Sequence, residues 1–468
     1  MTKFQANIGS DVLLDLSGTA GPTYRRLTHA LREAIQSGRL PATSTLPPSR
    51  ALASELGCSR WVVTEAYAQL AAEGYLAAAV GSGTRVCGLE HSPAARATVQ
   101  GAPDVGPSPV IDMAPGLPDL RNFPIRRWMS AIRGAAASMA SEDLGYLDAA
   151  GHHRLRQVLA DYLARVRGAQ SDPSNLLITA GATDAIGLLC RVLRTQGHTA
   201  VAMEDPGWHR LRDVVTGAGL RAIPIPVDDQ GLYVQRLHDH PGVGAVIVTP
   251  AHQFPTGVVL SSRRRGLLLS WAAERAGLII EDDYDAEFRY DRRPVGALQG
   301  AGLSSVALTG SVTKTLAPAL GLGWLATPPA WTPIVRAAIV RSSGPPVLDQ
   351  LAFAEFLRTG RYDQHLRAAR IRYRTRRDGL VRALGSHLPD SQICGVSAGL
   401  HFLLHLPPGI DAAAVVSRAN RTGVRVANLD TYRFTAAPEL PGLVLGYGNL
   451  ADHKVLEAVA RLTSALGV

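Results

Sequence analysis

The sequence predicts an α/β protein in two parts: a small N-terminal winged helix-turn-helix, then a large domain on a mostly parallel sheet with a small C-terminal α+β subdomain. Three observations carry this. Apolar residues recur at helical spacing between residues 21 and 87 and give way to a glycine-centred hairpin. Residues 88–111 show no sustained period. Beyond them, short apolar runs of strand length end in polar residues and alternate with helical stretches. The expected divisions are therefore 1–87, 88–111 and 112–468.

In "YRRLTHALREAIQSGRL", Leu27, Ala30, Leu31, Ala34 and Ile35 fall on one helical face, and Gly38 stops the helix. "PPSRALASELGCSRWVVTEAYAQLAAEGYL" reads as two helices joined by a tight turn at Gly57-Cys58. Ser49 is expected to cap the first and Ser59 the second. "YLAAAVGSGTRVCG" follows as two short strands around Gly81-Ser82-Gly83. In a helix-turn-helix the second helix of the motif enters the major groove, and its first residues meet base edges. Ser59, Arg60 and Thr64 lie on that helix, and Arg60 can give two hydrogen bonds to a guanine edge or contact phosphate. Arg50, early in the bracing helix, is placed for phosphate. Gly83 lets the hairpin approach a groove, with Thr84 and Arg85 as donors. The bland alternative is a helical module for protein contact whose arginines are merely solvated.

Residues 88–111 are rich in Pro, Ala and Gly and read as a linker, flexible or draped over a neighbour. A net charge of +9 suits a nucleic-acid partner without proving one. Glu33, Glu55, Glu65 and Glu73 offset the arginines of the first module, so individual arginines must be aimed at DNA. The chain is 46% hydrophobic and 19% charged, which excludes a largely disordered polypeptide. It holds no apolar run long enough to span a bilayer, and its first residues lack the basic start and apolar middle of a signal peptide. A cytoplasmic protein with no membrane partner is expected. Cys58, Cys87, Cys190 and Cys394 are scattered, so reduced structural thiols and no metal site are expected.

In the large domain "AVIVTP" (245–250), "AGLIIEDDYD" (276–285) and "SSVALTGSVTK" (304–314) are strands whose carboxyl ends run into polar residues. In such sheets the site lies along that edge. A lysine that forms an imine with pyridoxal 5'-phosphate needs a carboxylate for the pyridine nitrogen, a donor near the phenolic oxygen, and N–H groups and hydroxyls for the phosphate. Lys314 has Asp282 or Asp283 and then Tyr284 at a neighbouring strand end. The turn Gly181-Ala182-Thr183 opens a helix whose N–H groups can cap a phosphate, and Ser311 and Thr313 can add hydroxyls. Each piece has a dull counterpart: an ordinary strand-to-helix turn, a solvated acidic loop, a helix-capping lysine.

The N-terminal motifs quoted above, with "GSGT", resemble the DNA-binding domain of the GntR family. The large domain resembles fold-type I pyridoxal-phosphate enzymes, the aspartate aminotransferase superfamily. Over roughly residues 22–465 the chain resembles the MocR/GabR-type regulators, most strongly in "EDPGW", "VTPAHQFPTG", "LIIEDDYDAEFRYDRRPVGALQG", "TGSVTKTLAPAL" and "LVLGYGNL". The resemblance implies Lys314 as the imine lysine, Asp282 on the pyridine nitrogen and Tyr284 by the phenolic oxygen. It implies Ala182 and Thr183 in the phosphate turn, and Tyr146 reaching the phosphate of the second subunit of a homodimer. Arg210 would take an effector carboxylate, and His252 would stack on the ring.

Two departures stand out. The family's arginine seven residues after the lysine is here Gly321. Losing that contact weakens the cofactor by ~1.5–3 kcal/mol unless Arg263, Arg264 or Arg265 compensates. The C-terminal strand "GLVLGYGNL" lacks the arginine that holds a substrate's α-carboxylate, with Arg425 and Arg433 nearby; Phe254 also stands where aminotransferases have asparagine. The expected function is a regulator binding a double-stranded operator and responding to an amine, amino acid or B6 vitamer. The alternatives are a regulator whose large domain has lost the cofactor, and a true aminotransferase with an accessory DNA-binding module.

Overall fold

Leu27, Leu31 and Ala34, one face of the first expected helix, are buried against Leu52, Val63, Ala66 and Leu70. The computed structural model describes residues 5–7, 13–15, 23–79, 83–87, 111–146, 148–290, 295–339, 344–434 and 440–467. It divides into two compact units, Met1–Gly106 and Pro107–Val468. The hairpin tip at Gly81-Ser82 and all of the expected linker except Ile111 lie outside the described residues.

The first unit opens with a strand pair, β1 (Gln5–Asn7) and β2 (Leu13–Asp15). Helices α1 (Thr23–Gln36), α2 (Ser49–Glu55) and α3 (Arg60–Ala72) follow. Strands β3 (Thr45–Leu46), β4 (Leu76–Ala79) and β5 (Gly83–Val86) form an antiparallel sheet in the order β3-β5-β4. Gly57 takes a φ of +61° at the turn between α2 and α3, a conformation glycine adopts without strain. The expected caps need correcting. Ser49 is the first residue inside α2, behind Pro48, and its Oγ accepts from Arg60 Nε at 3.3 Å. Ser59 does occupy the N-cap of α3, but its side chain makes no capping hydrogen bond.

The second unit is built on an eight-stranded sheet. Its strands are β7 (Leu176–Thr179), β8 (Ala200–Asp205), β9 (Arg221–Asp228), β10 (Gly231–Leu232), β11 (Val243–Val248), β12 (Leu278–Asp282), β13 (Val306–Ser311) and β14 (Gly323–Ala326). They are ordered β10-β9-β8-β11-β12-β13-β14-β7, after a short strand β6 (Ile111–Asp112). The neighbours from β9 through β13 pair in parallel, while β14 runs antiparallel to both β13 and β7. Strands such as β12, buried along their whole length, need cover on both faces, hence the unbroken apolar runs. One face packs on α6 (Ala182–Thr195), α7 (His209–Gly217) and α9 (Thr332–Ala338). The other packs on α5 (His153–Arg167), α8 (Ser262–Arg275) and α10 (Val347–Arg358), with α4 (Ile125–Ser138) lying against α10.

The 27-residue helix α11 (Arg361–His387) leads to the smaller subdomain. There β15 (Gln392–Cys394), β16 (His401–His405), β18 (Ala427–Asn428) and β19 (Gly442–Gly446) form an antiparallel sheet with α12 (Ala412–Arg421) and α13 (Val455–Leu466). β6 pairs in parallel with β17 (Val424–Arg425), which ties the start of this unit to its C-terminal part.

Beneath the sheet edge Arg167 meets Asp283 in a two-pronged ion pair, Nε–Oδ2 2.7 Å and Nη2–Oδ1 3.0 Å, with side chains 4% and 6% exposed. Breaking a buried pair from one side strands the other charge. Arg167→Ala is therefore expected to destabilise the large unit by ~3–5 kcal/mol, read as a lowered midpoint of chemical unfolding; an unchanged midpoint would contradict it.

Candidate functional site

Five strand ends and one helix start converge on a cavity of about 1010 Å³. Its wall includes Gly181, Ala182 and Thr183 after β7, Glu204 on β8 and Thr249 after β11. Asp282 and Tyr284 come from the end of β12, and Ser311, Thr313 and Lys314 from the end of β13. The volume lies at the upper end of small-molecule sites, enough for a cofactor and a small amino compound together.

The acidic run at the end of β12 is sorted by alternation. Glu281 turns below the edge and accepts from the N–H groups of Leu298 and Gln299, at 2.8 and 2.9 Å. Asp283 turns the same way, to Arg167. Asp282 and Tyr284 line the cavity instead. Of the two aspartates left open by the sequence, the structure brings Asp282 beside Lys314. Burial, reinforced by the charge of Asp283, pushes the Asp282 carboxyl up to about 7. Its Oδ1 is buried with no hydrogen-bond partner, an orphaned acceptor that a protonated ring nitrogen would satisfy.

Lys314 is one of three lysines in the chain, with Lys3 and Lys454. Its Nζ donates to Gly116 O at 2.6 Å. Burial lowers the pKa of this amine, opposed by the charges of Asp285 and Asp282, which favours the neutral, nucleophilic form. The loop is anchored at Thr315, whose Oγ1 accepts from Tyr362 OH at 2.8 Å and whose carbonyl meets His365 Nε2 at 2.8 Å. At the phosphate-type turn α6 starts at Ala182, so the N–H groups of its first turn lack intrahelical partners. A Cβ on Gly323 would stand 2.6 Å from Gly181 Cα, so only glycine lets β14 pack against this turn. Asp282, Lys314 and this helix start fit a pyridoxal phosphate in charge and donor type.

Other expected residues sort less evenly. Arg210 lines the cavity. Tyr146 is fully exposed and is not part of the wall. His252 is buried and is not among the wall residues; its Nδ1 lies 2.8 Å from Asp285 Oδ2, a partner for a buried imidazole N–H. Trp208 and Phe254 are aromatic residues of the wall.

Arg264 and Arg265 do not replace the missing arginine. Arg264 engages Asp228 and Gly231 O, and Arg265 the carbonyls of Leu260, Pro250 and Gly296. Arg263 is exposed and off the wall. Arg425 pairs with Asp112 and Arg433 with Asp430, and neither lines the cavity. In the first unit Arg50, Ser59, Arg60, Thr64, Gly83 and Arg85 are exposed and Thr84 half-buried, with Thr64 Oγ1 donating to Arg60 O at 2.9 Å.

Sequence reasoning overlooked Glu204, Gly116 and His401. Glu204 accepts from the N–H and Oγ1 of Thr249 and from Gln253, and burial pushes it up to about 7. His401, on β16, is buried with its Nε2 unpartnered, and its pKa is driven well below the usual value by burial and by His252 and Lys314. The scarcity of lysine was a signal for Lys314. No pattern marked Gly116.

Residues 108–436 match the family "Aminotransferase class I and II", and residues 23–86 match "Bacterial regulatory proteins, gntR family". The chain is 31% identical over 465 residues to the "Probable rhizopine catabolism regulatory protein MocR" of Rhizobium meliloti, covering 95% of this chain and 94% of that one. It belongs to the MocR-type transcriptional regulators. This MocR-type chain is also 32% identical over 459 residues to the "HTH-type pyridoxine biosynthesis transcriptional regulator PdxR" of Corynebacterium glutamicum, covering 96% and 97%. Among solved structures it resembles a Pyrococcus horikoshii kynurenine aminotransferase at 25% identity and a TM-score of 0.69, covering 77% of this chain and 91% of that one. An archaeal alanine:glyoxylate aminotransferase, at 24% and 0.70 with 77% and 91% covered, shares the fold of the large unit. Among the described residues no helix is long and apolar enough to cross a membrane.

Burial raises the carboxyls of Asp282 and Glu204 to about 7 and pushes those of Glu281 and Glu287 the same way. Between their unfolded values near 4 and these folded values, the folded state binds more protons than the unfolded one, so stability falls as pH rises. His153 and the buried His365 and His401, whose pKa values are lowered, contribute the opposite slope. Relative to wild type, the cofactor-free Asp282→Asn variant is therefore expected to lose less, or gain more, in melting temperature between pH 5 and pH 7; an equal change in the two proteins would show that Asp282 does not carry its share.

Proposed function

We propose that this regulator binds pyridoxal 5'-phosphate at Lys314 and senses a small amino compound or a B6 vitamer through a lysine imine, changing how its GntR-type units hold a double-stranded operator. The observation that carries this is a buried lysine amine and a buried, partnerless aspartate oxygen at the same strand-end cavity. The cofactor would supply an electrophilic aldehyde carbon. The chain's own residues do the rest. Asp282 would hold a proton on the pyridine nitrogen. The N–H groups of Ala182 and Thr183, with the hydroxyls of Ser311 and Thr313, would hold the phosphate. Tyr284 would face the ring oxygen. Tyr146, exposed on one protomer, would reach the phosphate site of its partner in a homodimer, and Arg210 would meet an effector carboxylate.

Two observations bear on the effector. The first, favouring the vitamer itself, is the absence of any arginine on β19, where Val444 is fully buried, together with the likeness to a pyridoxine biosynthesis regulator. An amino acid is favoured by Arg210 in the wall. Either ligand acts only by preferring one arrangement of the DNA-binding units by a few kcal/mol. Sustained exchange of amino groups between a donor and a keto acid would favour the aminotransferase reading instead.

Gly321 is the point of weakness in this site. Its φ of +53° lies in the left-handed region, and a Cβ there would face Ala180 O at 4.0 Å, at the head of the phosphate turn. Titration of the purified protein with pyridoxal phosphate should give an imine absorption band, absent in Lys314→Ala. Gly321→Arg should bind about tenfold more tightly through the gain of a charge-assisted contact, the backbone strain appearing as lowered folding stability. No band in the wild type at excess cofactor would sink the reading.

On the DNA side, Arg60 stands exposed at the start of α3. Arg60→Ala should weaken binding to a duplex selected from a random pool by the wild-type chain by about 1–3 kcal/mol. Equal affinity of the two proteins would remove Arg60 from the interface.

A further inference from the structure

Behind the cavity wall Tyr284 is backed by buried polar groups that the proposed chemistry does not use. Tyr284 OH lies 2.9 Å from the carbonyl oxygen of His252 and 3.2 Å from His252 Nδ1. That nitrogen is itself 2.8 Å from Asp285 Oδ2, and both side chains are 1% exposed. His401 closes the group, its ring centroid 5.0 Å from that of His252. Asp285, His252 and His401 offer ligand-type atoms within 4.8 Å of one another, but the hydrogen bond between the first two already uses one of those atoms on each.

A carboxylate only accepts, so the short contact requires the hydrogen on His252 Nδ1. Nδ1 then cannot accept from Tyr284, and the tyrosine hydrogen is left two acceptors, the His252 carbonyl or a group in the cavity. Take Asp285 away and the imidazole is free to move its hydrogen to Nε2, turning Nδ1 into an acceptor 3.2 Å from the hydroxyl. The tyrosine hydrogen would then have a second acceptor in the wall besides the His252 carbonyl, and would be less available to the cavity. Charges facing Tyr284 come from Asp285 and Asp282 on its own segment and Glu204 on β8, with the Tyr447 hydroxyl beside β19. Phe254 offers no donor of its own at this place, so Tyr284 is the hydroxyl on which a ring oxygen would depend.

We propose that Asp285 and His252 are positioning residues that keep the Tyr284 hydroxyl available to the ring oxygen of a bound B6 vitamer. The inference rests on the cofactor reading above and deepens it.

The test compares equilibrium binding of pyridoxal 5'-phosphate and of its 3-deoxy analogue, which lacks the ring oxygen, to the full-length protein. Wild type, Asp285→Ala, Asp285→Asn and Tyr284→Phe are measured, with melting temperature as the folding control. Asp285→Ala and Tyr284→Phe are each expected to weaken pyridoxal phosphate about tenfold, the worth of one buried hydrogen bond, while binding the deoxy analogue as wild type does. Asp285→Asn, whose amide oxygen still accepts from Nδ1, should recover most of the loss. Equal weakening of both ligands by Asp285→Ala would make the residue merely structural and overturn the proposal. So would unchanged binding of pyridoxal phosphate. A wild type that binds neither ligand would instead refute the cofactor reading, and this inference with it.

Discussion

The ion pair between Arg167 and Asp283 is the constraint on which the site depends. Four acidic side chains crowd the end of one buried strand, Glu281, Asp282, Asp283 and Asp285, and no folded protein can leave four such charges unpaired in one place. Arg167 arrives from the last turn of α5 and neutralises one of them in a bidentate contact. Glu281 is tied down by two backbone N–H groups and Asp285 by His252. Only Asp282 is left facing the cavity without a partner for one of its oxygens. The free carboxylate is thus defined by how thoroughly its neighbours are occupied.

The same burial works on both members of the central pair, in opposite directions. It raises the cost of the aspartate's charge, a cost that pairing with a protonated ring nitrogen would offset, and it makes the lysine less basic, the form that an aldehyde carbon would require. Supporting contacts come from distant parts of the chain: α11 holds Thr315, β14 packs on Gly181, and the first turn of α6 presents open N–H groups. Where aminotransferases have an asparagine, a phosphate arginine and a carboxylate arginine, the chain has Phe254, Gly321 and a strand without arginine. On the proposed reading, the residues present are those that would pair with the ring itself, while these three positions offer no such grip on the groups around it.

Much of this was legible in the sequence. Apolar runs such as Leu278–Ile280, followed at once by acidic residues, marked both the buried strands and the edge where the cavity lies. Glycine and small residues after Thr179 marked the turn into α6, and the apolar spacing from Leu27 to Ile35 marked α1. What failed to show was direction. Neighbours such as Asp282 and Asp283 have the same composition, and only the alternation of the strand against Arg167, over a hundred residues away, separates them. His252 poses a similar question: its sequence position lies next to the wall, and its Nδ1 meets Asp285. The serines at the helix starts were right in kind for capping, yet Ser49 sits one residue too far inside, because Pro48 takes the boundary.

The contact between Lys314 and Gly116 has a consequence of its own. The carbonyl that receives the lysine's hydrogen lies a few residues past β6, in the stretch Met113–Gly116 that is stitched to the C-terminal subdomain through Arg425 O and Gly446 N. Going the other way along the chain, that stretch continues into the segment leading back to the helix-turn-helix. The amine cannot serve this carbonyl and a ligand's carbon at once. On the proposed reading, a ligand carbon on the lysine would release this contact, and the freed carbonyl would have to find another donor or shift. On that reading, chemistry at the lysine would also change the hydrogen bonding of Gly116, on the C-terminal side of β6.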